Sequence, residues 1–320
     1  MGITGRAAIL SACLAVNSAA MAQDFKVTLL GTGVPFPATD RFGAATLVEA
    51  GQERLLFDVG RGATIRLNQI GVSMGTLNAV FLTHFHSDHT SGIPDLWLTG
   101  WIGRYYGNRQ SPFRVIGPKG TVSLMQNLER AYADDIRIRY ADEKNPMEGV
   151  AIAASEYASD GVVYEKNGVT VTAFEVDHGA LIKPAYGYRV DYDGRSVIIS
   201  GDTRYSENLE KHAQGATLVV HEVAMANQEY YDKTPVVQFI MAHHIRPEEA
   251  GAMFARLKPK LAAYTHLVFL GSPNYPAPKV ADVERKTRET YSGPLALGTD
   301  LMSFDVHRDE VIVIPDASKK

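Results

Sequence analysis

Apolar residues occur along the chain in short runs rather than in long stretches of helical spacing, and turn-forming Gly, Pro, Asn and Asp separate the runs. Residues 25–30 read as a strand, followed by a glycine- and proline-rich loop over 31–42. Residues 45–49 and 55–58 read as a hairpin across Ala50-Gly51-Gln52, and 63–70 carry helical spacing that stops at Gly71. An apolar strand at 79–83 runs into a histidine cluster; 113–116 and 121–132 read as a strand followed by a helix.

The second half repeats this logic. Residues 169–176 alternate Val, Thr and Phe as a strand and end at Asp177-His178. Residues 186–191 and 196–200 pair across an Asp193-Gly194 turn and lead to Gly201-Asp202. A strand at 218–220 ends at His221-Glu222, and one at 261–265 ends at His266. Between them, 247–257 reads as a helix with Pro in its first turn and two glutamates complementing its dipole. A β-run thus delivers a His or Asp at its C-terminal end again and again, where α/β folds build sites. With no repeat, low-complexity segment or linker, one domain is expected.

Composition changes the picture first at the N-terminus. Arg6, an apolar run over 7–16 and the small-x-small triplet Ala20-Met21-Ala22 read as a secretory signal, residues 1–22, cut before Gln23. Residues 23–320 are then the folded part, periplasmic or secreted; a lipoprotein tether through Cys13 is the lesser option, because the apolar stretch ahead of it is short. Cys13 is the single cysteine, so the mature part has neither a disulfide nor a thiolate ligand. The chain carries 32 Lys and Arg, of which Arg6 falls in the signal, against 36 Asp and Glu. This mild acidic excess, without a basic run, leads us to expect no dedicated nucleic-acid surface. Nor does any apolar stretch reach membrane-spanning length.

Thr83-His84-Phe85-His86-Ser87-Asp88-His89 is the sharpest chemical signal. Alternate residues of an extended backbone share a face, so His84 and His86 point together. Asp88 and His89 follow where the chain turns and face a second point. Nitrogen and oxygen donors without sulfur suit zinc. A single histidine is more often a packed or solvated side chain, but three imidazoles and a carboxylate at this spacing point to a metal.

This His-x-His-x-Asp-His run resembles the hallmark of the metallo-β-lactamase superfamily, and the likeness extends from Gly31-Thr32-Gly33 to the C-terminal strands. Asp177-His178 before Tyr186-Gly187-Tyr188-Arg189, Gly201-Asp202-Thr203, His221-Glu222, His244 ahead of Ala250-Gly251, and Thr265-His266 follow in the family's order. The branch most resembled is that of ribonuclease Z and the secreted arylsulfatase-like proteins. The resemblance implies an α/β fold, a four-layer αβ/βα sandwich, and two zinc ions. His84, His86 and His178 would hold the first, Asp88, His89 and His266 the second, and Asp202 would bridge them. Taken alone, Asp202 also fits a turn in the Gly-Asp-Thr loop. A hydroxide between the metals, held by Asp88, would attack the ester.

The resemblance assigns His244 as the acid that protonates the leaving group and Glu222 as the residue that orients it. A carboxylate partner keeps a histidine protonated near neutral pH, which suits that division. His243 stays open as an alternative donor. His221 is expected to hydrogen-bond rather than ligate, Asp58 either orients a ligand histidine or serves a turn, and His212 and His307 are expected to face solvent. Residues 94–106 bring Trp97, Trp101, Tyr105 and Tyr106 together as either a packed helix or an aromatic wall for substrate. Arg104 and Arg109 are either solvated or available to an anionic substrate.

Ribonuclease Z enzymes usually carry a long RNA-gripping arm between the third ligand histidine and the bridging aspartate. Here only a strand, a tight turn and a strand fit between His178 and Asp202. With the signal and the acidic charge, this favours an exported binuclear zinc hydrolase that cleaves phosphodiester or sulfate esters of small molecules. The alternatives are a ribonuclease Z-type endoribonuclease, a lactonase or β-lactam hydrolase, and a metal-binding protein without catalysis. A homodimer is left open.

Overall fold

The computed structural model describes residues 25–103 and 105–319. The expected signal, Cys13 and Arg104 lie outside these residues. In chain order the strands are β1 (Phe25–Gly31), β2 (Ala45–Ala50), β3 (Glu53–Phe57), β4 (Ala79–Phe81), β5 (Phe113–Pro118), β6 (Ile152–Tyr157), β7 (Gly161–Lys166) and β8 (Val169–Glu175). They continue with β9 (Tyr186–Tyr192), β10 (Arg195–Ile199), β11 (Leu218–Ala226), β12 (Leu261–Leu270), β13 (Leu295–Leu297), β14 (Ser303–Val306) and β15 (Val311–Ile314). One sheet has the order β15-β14-β1-β2-β3-β4-β5-β6, the other β13-β12-β11-β10-β9-β8-β7.

The two sheets face each other across a core to which both contribute: Val27, Leu29, Phe57 and Phe81 from the first, Val171, Tyr188, Val197 and Val220 from the second. The outer face of the first sheet packs under helices that include Ala63–Gln69, Ile93–Trp101 and Thr121–Ala131, through Leu67, Trp97, Trp101 and Met125. The outer face of the second packs under Glu207–His212, Pro247–Leu257 and Val280–Arg288, through Leu209, Phe254 and Val283. The layering is helix, sheet, sheet, helix, the expected sandwich. Central strands such as β10 are buried along their whole length, which is why they read as continuous rather than alternating apolar runs.

The expected β9–β10 hairpin turns at Asp193 and Gly194, whose φ values of 47° and 71° are those of a tight two-residue turn. Two strands run further than their sequence suggested. β11 and β12 pair in parallel from Leu218↔Leu261 through Ala226↔Leu270, so His221, Glu222 and His266 lie within strands and not at their ends. Backbone pairing carries the ladder past these polar residues: His266 turns into a cleft, while His221 and Glu222 stay buried.

Between His178 and Asp202 there is only a loop and the β9–β10 hairpin, with no inserted arm. Among the described residues no helix is long and apolar enough to cross a membrane.

A candidate metal centre

The 82–89 segment leaves β4 and is gripped by the opposite sheet. The Tyr188 hydroxyl donates to the Leu82 carbonyl at 2.5 Å and the Tyr186 N–H donates to the Thr83 carbonyl at 3.0 Å. His84 follows, then the one-turn helix Ser87–Thr90 presents buried Asp88 and His89. His178 comes from the loop after β8, Asp202 from the loop after β10, and His266 from within β12. His266 occupies a bulge: Glu222 pairs with Thr265 but Val223 with Leu267, and His266 has a φ of +43°. Such a backbone is rare for a non-glycine residue and turns its side chain out of the ladder.

Hydrogen bonds orient the rings. Asp58 accepts from the Thr83 N–H and hydroxyl, both at 2.8 Å, and from His89 Nδ1 at 2.7 Å. His84 Nδ1 lies 2.9 Å from the Thr83 oxygen, and His178 Nδ1 donates to the His243 carbonyl at 3.0 Å. With Nδ1 engaged, Nε2 of His84, His89 and His178 is left to face the cluster. Asp58 therefore orients a histidine rather than merely turning the chain, although it does also take positive φ, +58°. Asp58→Asn is expected to weaken metal affinity about 10–100-fold, measured by competition against a chromophoric chelator.

All seven expected ligands converge. Candidate ligand atoms of His84, His86, His178 and Asp202 lie within 4.8 Å of one another, as do those of Asp88, His89 and His266. Asp202 faces both groups. Its Oδ2 is 3.9 Å from His84 Nε2, 3.7 Å from His178 Nε2 and 3.5 Å from His266 Nε2, and its Oδ1 is 3.4 Å from His89 Nε2. Asp88 Oδ2 lies 3.2 Å from His266 Nε2 and 3.6 Å from His89 Nε2.

The cluster asks for a cation. Buried His84 Nε2, His89 Nε2 and Asp202 Oδ1 have no hydrogen-bond partner, and each such atom costs about 1–3 kcal/mol if left unsatisfied. Among the described residues, Asp88 and Asp202 form no ion pair with Lys or Arg. Burial pulls His84 well below its ordinary pKa, and lowers His86 and His178 too, which keeps these rings neutral and their lone pairs available. Burial opposes charge at His89 as well, but the Asp202 and Asp58 carboxylates outweigh it and hold His89 well above the usual value. The carboxylates thus draw positive charge into this place. An all nitrogen-and-oxygen donor set of this kind fits a metal ion.

Beside the cluster, His244 Nδ1 lies 3.1 Å from Glu222 Oε1. The same oxygen accepts from the Thr203 and Ile245 N–H groups at 3.2 and 3.3 Å. Burial works against charge at His244, yet Glu222 prevails and its pKa is pushed up to about 9. His243 is not held this way; it packs at the cleft mouth against Phe239. His221 is buried against Phe254, with Nδ1 on the Glu222 carbonyl, and belongs to none of the ligand groups.

A cleft of about 330 Å³ opens over the cluster. His86, Asp88, His178, Asp202, His244 and His266 line it, and Val34, Pro35, Ile182, Ile240, Val268 and Leu270 form its walls. These apolar walls come from four separate segments. A larger groove near Lys26, Arg54 and His307 contains none of the cluster residues.

Open readings elsewhere are resolved. Trp97 and Trp101 are fully buried core, each donating its indole N–H to a backbone carbonyl, so they form no substrate wall. Arg109 is buried too, donating to the Gly149 and Trp97 carbonyls, and meets no substrate. His212 stacks on Phe174 and lies 3.5 Å from Asp160, while His307 is exposed as expected.

Comparison with known proteins adds the family. A beta-lactamase superfamily domain profile matches residues 53–267. A ribonuclease Z of Mycobacterium marinum is 34% identical over 282 residues, covering 88% of this chain and 99% of that protein. Among solved structures, human tRNase Z, short form, superposes with a TM-score of 0.64 at 21% identity, over 88% of this chain and 99% of that one. The metallo-beta-lactamase fold protein YhfI from Bacillus subtilis gives 0.68 at 19%, with the same coverage of both chains.

The relatives named ribonuclease Z overturn two expectations: the hydrolase of small phosphodiester or sulfate esters, and the chain without a nucleic-acid surface. The missing arm misled because a relative matched over 99% of its own length has no long arm that this chain lacks. Net charge misled because it averages over a whole surface.

Proposed function

We propose that this chain, which belongs to the metallo-β-lactamase superfamily and is a homologue of ribonuclease Z, is a zinc-dependent endoribonuclease that hydrolyses a phosphodiester bond of a transfer RNA precursor. The observation that carries the reading is His244, held by buried Glu222 and lining the same cleft as the His and Asp cluster. Hydrolysis of RNA expels a poor, alkoxide-like oxygen, and a histidine kept protonated on a buried carboxylate meets that need.

His84, His86 and His178 would hold one zinc and Asp88, His89 and His266 the other, with Asp202 shared. When bound, two zinc ions supply positive charge for the phosphoryl oxygens and activate water at neutral pH. The chain's own residues do the rest. Burial opposes charge at Asp88, but His266 and His89 beside it prevail and keep it ionised, and its carboxylate would orient the nucleophile. Glu222 fixes His244 through Nδ1, which leaves Nε2 to hand a proton to the departing ribose oxygen. Asp58 keeps His89 in the tautomer that presents Nε2.

The test is cleavage of a precursor transfer RNA transcript by protein stripped with chelator and then reloaded with zinc. Single-site cleavage that disappears on chelation and returns with zinc is expected. Stable zinc loading without any RNA cleavage would refute the reading.

A further inference from the structure

We propose that the apolar shelf beside the metal cluster is a nucleobase subsite, in which Phe239 and Leu181 flank a base adjoining the scissile phosphate; this rests on the ribonuclease reading above. The shelf is a cavity of about 500 Å³ lined by His86, Ala180, Leu181, Ile182, Phe239 and His243. It is continuous with the cluster's cleft, since His86, Ile182 and His243 line both. Leu181 is 90% and Phe239 59% exposed. Large apolar side chains left open together at the edge of a cleft mark a surface that something apolar covers.

The shelf is rigidly tied to the chemistry. The Phe239 ring meets the His243 ring edge-on, with centroids 4.4 Å apart at 77°, and the His243 carbonyl holds His178. Gly179 has a φ of +101°, and a Cβ there would come within 2.8 Å of the His243 ring, so glycine lets the loop bearing Leu181 close on His243. Through Ala180 the shelf adjoins a groove in which Lys183 and Arg204 are already paired with Glu175 and Asp177. RNA matches this juxtaposition of cluster and shelf. A phosphate held at the cluster carries, one sugar away, a flat base whose ring faces suit apolar and aromatic side chains. Aromatic side chains accept bases of any identity by stacking, so the subsite positions a nucleotide without reading its letter.

The test compares wild type, Phe239→Ala and Phe239→Tyr, all zinc-loaded, on precursor transfer RNA and on the same RNA lacking one base at either nucleotide flanking the cleavage point. Phe239→Ala is expected to raise KM about tenfold while kcat changes by less than about twofold, and Phe239→Tyr to behave as wild type. Removing the flanking base should cost wild type about tenfold and cost Phe239→Ala nothing. Intact RNA cleaved equally well by Phe239→Ala, or a base-removal loss that persists in full in that variant, would overturn the subsite and leave the ribonuclease reading standing. A wild type that cleaves no RNA would end both. Because Phe239 is largely exposed, its truncation opens no core cavity, and the comparison reads binding rather than folding.

Discussion

His244→Ala is expected to slow cleavage of precursor transfer RNA by about 10²–10⁴-fold, the usual worth of a positioned proton donor. The same variant should hydrolyse a phosphodiester with a nitrophenolate leaving group at close to the wild-type rate, because that anion departs without a proton. Equal losses on both substrates would remove His244 from the acid's role. Glu222→Gln keeps an oxygen for the Thr203 and Ile245 N–H groups but removes the charge. Glu222 holds the His244 pKa up at about 9 against the pull of burial. The donating imidazolium is therefore present below that value and lost above it. Without the carboxylate the loss comes earlier, so the alkaline limb of the pH–rate profile should move to lower pH. A profile with an unmoved limb would show that Glu222 does not set the protonation of His244.

Asp202→Ala is expected to cost at least about three decades in rate. It removes the carboxylate common to both ligand groups, and metal-supplied charge stabilisation is worth several kcal/mol at 1.36 kcal/mol per decade. A second readout separates loss of metal from loss of fold. Zinc that binds only the folded chain, at roughly a thousandfold above its dissociation constant, adds about 4 kcal/mol of stability. Chelation should therefore lower the melting temperature of wild type markedly and that of Asp202→Ala little. A variant that still gains wild-type stabilisation from zinc would take Asp202 out of the ligand set.

Much of this site was legible in the sequence because its ligands cluster or end strands. His84, His86, Asp88 and His89 fall within one short segment, and His178 and Asp202 follow short apolar runs at places matching the family's motifs, so the resemblance implied their convergence. Strand ends were less legible around Glu222 and His266. A buried carboxylate or imidazole interrupts the apolar pattern, so the strand seemed to stop where it in fact carries on beneath a bulge. Arg109 shows the opposite failure. An arginine in a polar stretch reads as solvent-facing, yet three-dimensional packing gives it two buried carbonyls to bind. The Tyr188 grip on Leu82 and the walls of the cleft join residues far apart in the chain, and no periodicity could have brought them together. Bulk charge and the short His178–Asp202 connection say little about substrate size, since neither property resides in the cleft.

X-ray anomalous scattering at the zinc edge, from crystals of zinc-loaded protein, tests the two-metal centre most directly. Two peaks are expected, one among His84, His86 and His178 and one among Asp88, His89 and His266, with Asp202 touching both. A single peak, or peaks lying away from these side chains, would contradict it.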